Sequence, residues 1–533
     1  MGLVMSPGSV VAQLDGMNQN LSKALENAEA VLKEVSDLEE TTDVLQGESY
    51  DSIRDYYENV HIPVLHGFIM YAEELIQENY DYKMYIGSGL SGIGYVDEDG
   101  LREDLEKLRK QMDRVRGLMN RMEFLSSVGG LLESMEKTER LIEKKLEQIE
   151  NFLDATVGLY EESETYAGIL KSGIECMQTA VLHGNMISYM VNPLNSGWAA
   201  ELEEKWIEKE IKEKELFVNA MSGQFGFDDE TALILYELYY RMQQEGVENI
   251  NQKYFGILSS YVYSNSAGVS IKNTVWHEIA GTYDEETLKQ MLEGYGFTEE
   301  EIALLGYNIA DNYYLSCMDN EKEAKGYYQK SDLSHMSVIC ATMLNDYSIG
   351  WEMAGGFAGW LCNGIFNLEA NAGYIGDVYG TAGNGAKLTQ DDYKADLDAV
   401  NLCSRMEACG NGIRVIGQYY EGISSGEINR ADEFIINLGE GDYDKGVDCL
   451  RSQVEANQTF LTAIPVGNFT EMGLKASINV LSGGGFSLAG DIYSEKNKIQ
   501  KNFYESLLEG SNEYQEKEQV NIDLAENGER GNE

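Results

Sequence analysis

Apolar residues recur at every third or fourth position along most of this chain, the spacing that gathers them on one face of an α-helix. The first such run covers residues 9 to 38 and predicts an amphipathic helix. A second helix begins at Asp51 and carries Pro63 inside its pattern. Val64, Leu65, Phe68, Ile69 and Tyr71 continue the stripe, so the proline is expected to kink the helix rather than end it. Leu101, Leu105, Leu108, Met112, Val115, Leu118, Met122 and Leu125 then step by three or four. Ile142, Leu146, Ile149, Leu153, Val157 and Tyr160 do the same after Gly129-Gly130, where a break is expected. Two stripes with a turn between them predict an antiparallel hairpin or a long bundle, and two ordinary core helices would carry the same pattern.

The repeat is lost over residues 161 to 200, where Gly168, Gly173, Gly184 and the segment Val191-Asn-Pro-Leu-Asn-Ser-Gly197 cluster. A domain boundary is expected there, dividing 1–198 from 199–520, with a polar, disordered tail over 521–533. A charged helix, Ala199 to Phe217, opens the second part. Asp228 or Asp229 is placed to cap the helix that follows. Thr298 with Glu301 three residues on has the spacing of a capping box. Trp276-His277 reads as a turn between helices. With only four prolines in 533 residues, the predicted fold class is mainly α: an elongated N-terminal helical hairpin or bundle, then an all-helical C-terminal domain.

Charge and composition remove several functions. Ninety-one acidic against 40 basic residues give a formal charge of −51, which repels phosphate backbones, and the basic residues form no patch, so no nucleic-acid partner is expected. No run is long and apolar enough for a transmembrane helix, and Met-Gly-Leu-Val-Met-Ser-Pro is not an ordinary signal peptide. The seven cysteines, at 176, 317, 340, 362, 403, 409 and 449, lack metal-type spacing and read as buried thiols.

The candidate chemistry lies in Gln390-Asp-Asp-Tyr-Lys-Ala-Asp-Leu-Asp-Ala-Val-Asn401, which places Asp391, Asp392, Asp396 and Asp398 within eight residues. A helix sets Asp392 and Asp396 one turn apart, where like charges repel by about 0.2–0.5 kcal/mol. Either a cation lies between them or the face is simply solvated. Upstream, Ser331-Asp-Leu-Ser-His335 sets Asp332 and His335 three apart, although the helix dipole alone would also favour Asp332 there. Carboxylate oxygens suit Ca²⁺ or Mg²⁺ held against a phosphate, with an Asp or His335 moving the proton of an activated water. Between the two clusters, the Gly-rich apolar segment Ala354 to Phe366 would serve as a tight loop or a wall beside a lipid tail.

Several N-terminal residues resemble the LXG family, the delivery domains of polymorphic toxins in Gram-positive bacteria. They are Leu14-Asp15-Gly16, a Gly47 turn before Ile53-Arg54-x-Tyr56-Tyr57, His61-Ile62-Pro63, and the long helices that follow. The resemblance implies export by a type VII (Esx) pathway without a cleaved signal peptide, small helical WXG100-like partners and a structural role for His61. The region from Asp332 to Asp398 is similar to the aspartate-rich toxin domains of calcium-dependent lipid II phosphatases. The likeness rests on Asp332-x-x-His335, Gly359-Trp360 and the acidic cluster. That second resemblance implies catalysis by Asp332, His335 and Asp392, and Ca²⁺ or Mg²⁺ on Asp332, Asp391, Asp392, Asp396 and Asp398. It also implies a lipid-linked diphosphate substrate at the outer face of the target membrane, and a cognate immunity protein. The family's Gly-Trp-x-Gly-Asp segment is replaced here by Gly-Trp-Leu-Cys-Asn-Gly364, so either Asp377 supplies that carboxylate or the copy has lost it. An LXG toxin of other chemistry, such as an NAD-glycohydrolase, and a non-enzymatic helical interaction protein remain as alternatives.

Overall fold

A computed structural model describes residues 2–40, 48–119, 126–178, 197–265, 283–317, 333–344, 390–439 and 441–448. Among these the chain is helical almost throughout, as its apolar spacing requires. Backbone contacts divide it into two compact units, Met1–Ile207 with Glu440–Asp444, and Glu208–Gly439 with Lys445–Glu533.

The first unit opens with β1 (Val4–Met5), which pairs antiparallel with β2 (Val96–Asp97). Helix α1 (Pro7–Glu40) packs along α3 (Ile62–Gly89), with α2 (Glu48–Tyr56) between them in sequence. Leu25 and Ala28 meet Ile69 and Ala72 at one level, and Leu14 meets Ile86 and Leu90 at another. Of the Leu14-Asp15-Gly16 triplet, Leu14 is thus a core residue and Asp15 pairs with Lys83 at 2.9 Å. A Cβ added at Gly16 would meet nothing within 4 Å.

Pro63 does not end the helical run in which it sits. It lies in the first turn of α3, directly after a π-helical turn over Tyr57–His61, and the backbone stays right-handed helical on both sides. The Ile62 N–H reaches back to the Tyr57 carbonyl. That wider turn relieves the clash a proline ring makes with the carbonyl four residues earlier. His61 stands edge-on to Tyr56 and Tyr57, with ring centroids 5.1 and 4.9 Å away, and burial lowers its pKa.

Helices α4 (Glu98–Met119) and α5 (Ser126–Ala155) form the expected antiparallel hairpin. Arg109 pairs with Glu139 and Glu143, and Arg116 with Glu136. Two details differ from the apolar pattern. The expected break at Gly129-Gly130 is absent, because both glycines lie in the first turns of α5, where a Cβ on Gly130 would have open space. The second stripe also stops early: α5 ends at Ala155 and Val157 is 79% exposed. Helix α6 (Glu161–Gln178) occupies part of the stretch where the repeat was lost, and Gly168 and Gly173 are helical within it. Gly173 admits Trp198, whose ring would lie 2.9 Å from an added Cβ. Trp198 and Leu202 belong to α7 (Gly197–Ala220), within which the division between units falls.

The second unit contains a further π-helical turn, Met221–Phe225, then α8 (Asp229–Gln244), α9 (Ile250–Asn265), α10 (Glu285–Gly294) and α11 (Glu299–Cys317). Beyond these lie α12 (Leu333–Met343), α13 (Gln390–Cys409), α14 (Gly412–Ser425) and α15 (Arg430–Leu438). The capping expected from sequence is present. Asp228 accepts from the Thr231 N–H at 2.8 Å. Thr298 Oγ1 accepts from the Glu301 N–H while Glu301 accepts from the Thr298 N–H, at 3.2 and 2.7 Å. Helix α9 is buried all round over Tyr254–Tyr261, and α13 over Leu397–Cys403, so these two helices are interior to the unit. Cys340, Cys403 and Cys409 are present as buried thiols. Gly47, Gly184, Trp276-His277, Asp332, Ala354 to Phe366 with Gly359-Trp360, Asp377 and the 521–533 tail lie outside the described residues.

Candidate functional site

Two of the sequence-predicted clusters fall on helices that pack together. Asp391, Asp392, Asp396 and Asp398 are all on α13, His335 is on α12, and the two helices are neighbours. Cys340 Sγ lies 3.9 Å from the Ala399 carbonyl, and Cys403 Sγ 3.9 Å from the Cys340 carbonyl. Met336, one turn before Cys340, and Asp398, next to Ala399, approach the Tyr420 hydroxyl through Sδ and Oδ2, at 3.4 and 3.0 Å. These contacts set the middle of α12 against the middle of α13. The side chains of His335, Asp391, Asp392 and Asp396 lie outside what is described. Among the described residues, no group of three or more His, Cys, Asp or Glu stands where it could hold a metal ion.

Asp398 is the one member of the acidic cluster whose surroundings are defined. Its side chain is fully buried and its oxygens are already engaged. Tyr419 donates to Oδ1 at 2.7 Å, Arg430 Nε donates to the same oxygen at 2.7 Å, and Tyr420 donates to Oδ2 at 3.0 Å. Burial raises the Asp398 pKa, while the Arg430 charge and the two phenols pull it back. Burial acts against the Arg430 charge too, yet Asp398 holds that guanidinium's pKa above its usual value. Both phenols are pushed well above their usual range, first by burial and then by the Asp398 charge.

The network extends outward through donors and acceptors that are each matched. Asn401 donates to the Tyr419 hydroxyl at 3.1 Å and to the Arg430 carbonyl at 3.0 Å, and accepts from Asn437 at 2.9 Å. Arg430 Nη2 donates to Gln224 at 3.1 Å. One turn along α13, Arg405 forms a two-pronged pair with Glu433 at 2.7 and 3.0 Å. Asp398 therefore ties α13 to α14 and α15. Nothing local in the sequence announced Tyr419, Tyr420 and Arg430 as its partners, because they lie 21, 22 and 32 residues away.

Residues 5–189 match the LXG domain of the WXG superfamily. The chain thus carries an LXG domain at its N-terminal end, and the match ends before α7. No curated protein and no solved structure matches the chain. Among the described residues, no helix is long and apolar enough to cross a membrane.

Proposed function

We propose that this chain is a secreted toxin whose LXG domain serves delivery and whose second helical unit is a metal-dependent phosphohydrolase acting on a lipid-linked diphosphate, so blocking peptidoglycan synthesis. The observation that carries the reading is the LXG match over residues 5–189, followed by a separate helical unit. Its chemistry is supported by the neighbouring of α12, which bears His335, and α13, which bears Asp391, Asp392 and Asp396. Hard carboxylate oxygens there suit Ca²⁺ or Mg²⁺, which would neutralise a diphosphate and activate water. In this reading Asp332, His335 and Asp392 are the catalytic set. Asp398, with its oxygens engaged by Tyr419, Tyr420 and Arg430, steadies the helix rather than binding the metal directly. Export by a type VII pathway with small helical WXG100-like partners, and a cognate immunity protein in the producing cell, belong to the same proposal.

The test uses the full-length protein on an undecaprenyl-linked diphosphate with Ca²⁺, Mg²⁺ or chelator, measuring phosphate and pyrophosphate release. Metal-dependent release that falls by about 10²-fold or more in Asp392→Ala and His335→Ala is the expected result. No release with any divalent ion from a folded sample would overturn it. One observation favours a second reading, a non-enzymatic helical interaction protein: the only acid of the cluster with defined surroundings is structural. On that reading the same substitutions leave every activity of the protein intact.

A further inference from the structure

Two of the buried thiols lie in one seam, and no catalytic role proposed above uses them. Cys340 on α12 and Cys403 on α13 are both fully buried. Each sulfur is turned toward the backbone of the other helix: Cys340 Sγ is 3.9 Å from the Ala399 carbonyl and Cys403 Sγ is 3.9 Å from the Cys340 carbonyl. In α13, Ala399 is four residues before Cys403 and on the same face, and a helical side chain leans back over the turn that precedes it. The two sulfurs therefore converge on one level of the seam. Beside that level, Met336 and Asp398 both contact the Tyr420 hydroxyl. Cys409, also buried, is six residues beyond Cys403, a spacing that turns it to a different face of α13.

We infer that Cys340 and Cys403 form a redox pair, able to join as a disulfide that fastens α12 to α13. The step is a two-electron oxidation by a small-molecule disulfide. One cysteine thiolate attacks a sulfur of the oxidant and releases one thiol, and the second cysteine thiolate then attacks the mixed disulfide and releases the other. The oxidant's S–S bond breaks as the mixed disulfide forms, and the mixed disulfide breaks as the Sγ–Sγ bond forms. The two protons lost by the cysteines end on the two thiols released. Because neither sulfur is accessible in the closed seam, the rate is limited by local opening. The pairing is selective because packing holds the two sulfurs together on reclosing. The bond would close a loop that contains residues 341–402, and its formation does not depend on the function proposed above.

The folded, reduced full-length protein is incubated with glutathione disulfide, acid-quenched, alkylated under denaturing conditions and digested for mass spectrometry. The expected result is one dominant linked peptide pair, Cys340 to Cys403, with the intact mass lower by two hydrogens. Cys409→Ser should leave the pair forming and Cys340→Ser should abolish it. The same oxidant on denatured protein should give mixed pairings among the seven cysteines. The inference is overturned if the folded wild-type protein keeps both thiols alkylatable, carries glutathione on each without linking them, or links Cys403 preferentially elsewhere.

Discussion

The two units bury polar groups in different ways. In the LXG unit the buried chain of hydrogen bonds is neutral and runs in one direction. Tyr160 donates to Asn79 Oδ1 at 3.0 Å, Asn79 donates to Asn18 Oδ1 at 2.8 Å, and Asn18 donates to the Ile76 carbonyl at 3.2 Å. Burial pushes the Tyr160 hydroxyl up to about 12, which keeps it a donor at any ordinary pH. In the second unit the corresponding links are ionic, Asp398 with Arg430 and Arg405 with Glu433. A neutral chain fixes register between helices at little desolvation cost. An ionic link is costly to desolvate and very costly to break on one side only.

That contrast makes its sharpest prediction at Asp398. Asp398→Ala should cost about 3–5 kcal/mol in the urea transition of the second unit, because a mostly buried guanidinium loses its anion. Asp398→Leu combined with Arg430→Met should cost much less, since both charges leave together. Equal losses in the single and double variants would break the distinction between the units. In the LXG unit, Asn79→Ala should cost about 1–3 kcal/mol by leaving the Asn18 and Tyr160 side chains unmatched. Hydrogen exchange should locate that loss in α1 and α3, and salt should barely change it.

Glu78, which with Glu73 is a buried carboxyl of α3, tests the neutral character of the LXG core. It is 4% exposed, accepts from the Ser163 N–H at 3.1 Å, and its second oxygen meets no donor among the described residues. Burial, then the nearby Glu162 charge, outweigh the Ser163 hydrogen bonds and raise its pKa. A carboxyl with a raised folded pKa contributes stability that is full below the ordinary carboxylate range and is lost as pH rises through the folded value. Glu78→Gln should therefore melt higher than the parent at neutral pH, and the gap should close on acidification. A gap independent of pH would show that the carboxylate's charge is not the source of the difference. The smallest effect is expected at Gly16, where a Cβ has open space in mid-helix. Gly16→Ala should raise stability by roughly 0.5–1 kcal/mol, read as a higher melting temperature.

Much of the helical layout was legible because it follows from short-range rules. The α4–α5 hairpin follows from apolar spacing, and the Asp228 and Thr298 caps from residues three apart. The break expected at Gly129-Gly130 misled because glycine lowers helix propensity without forbidding a helix, least of all near an end. The acidic cluster was legible as a helix but not as a site. Spacing puts Asp392 and Asp396 on one face, but it cannot say that Asp398, two residues on, enters an interior lined by Tyr419 and Tyr420. That fact depends on which distant helices pack against α13.

The π-helical turn at Tyr57–His61 has a consequence for how this domain tolerates insertions and deletions. A widened turn is one residue more than the α-helical ladder needs, absorbed without interrupting the rod. Removing one residue from Tyr57–His61 would restore the regular ladder but rotate everything before it by about 100° relative to α3. Tyr56 would then swing away from the cluster it shares with Trp198 and Leu202. The extra residue acts as a phase shifter, and Tyr56 stays in phase with Val60 and Met70 of its cluster only while it is kept.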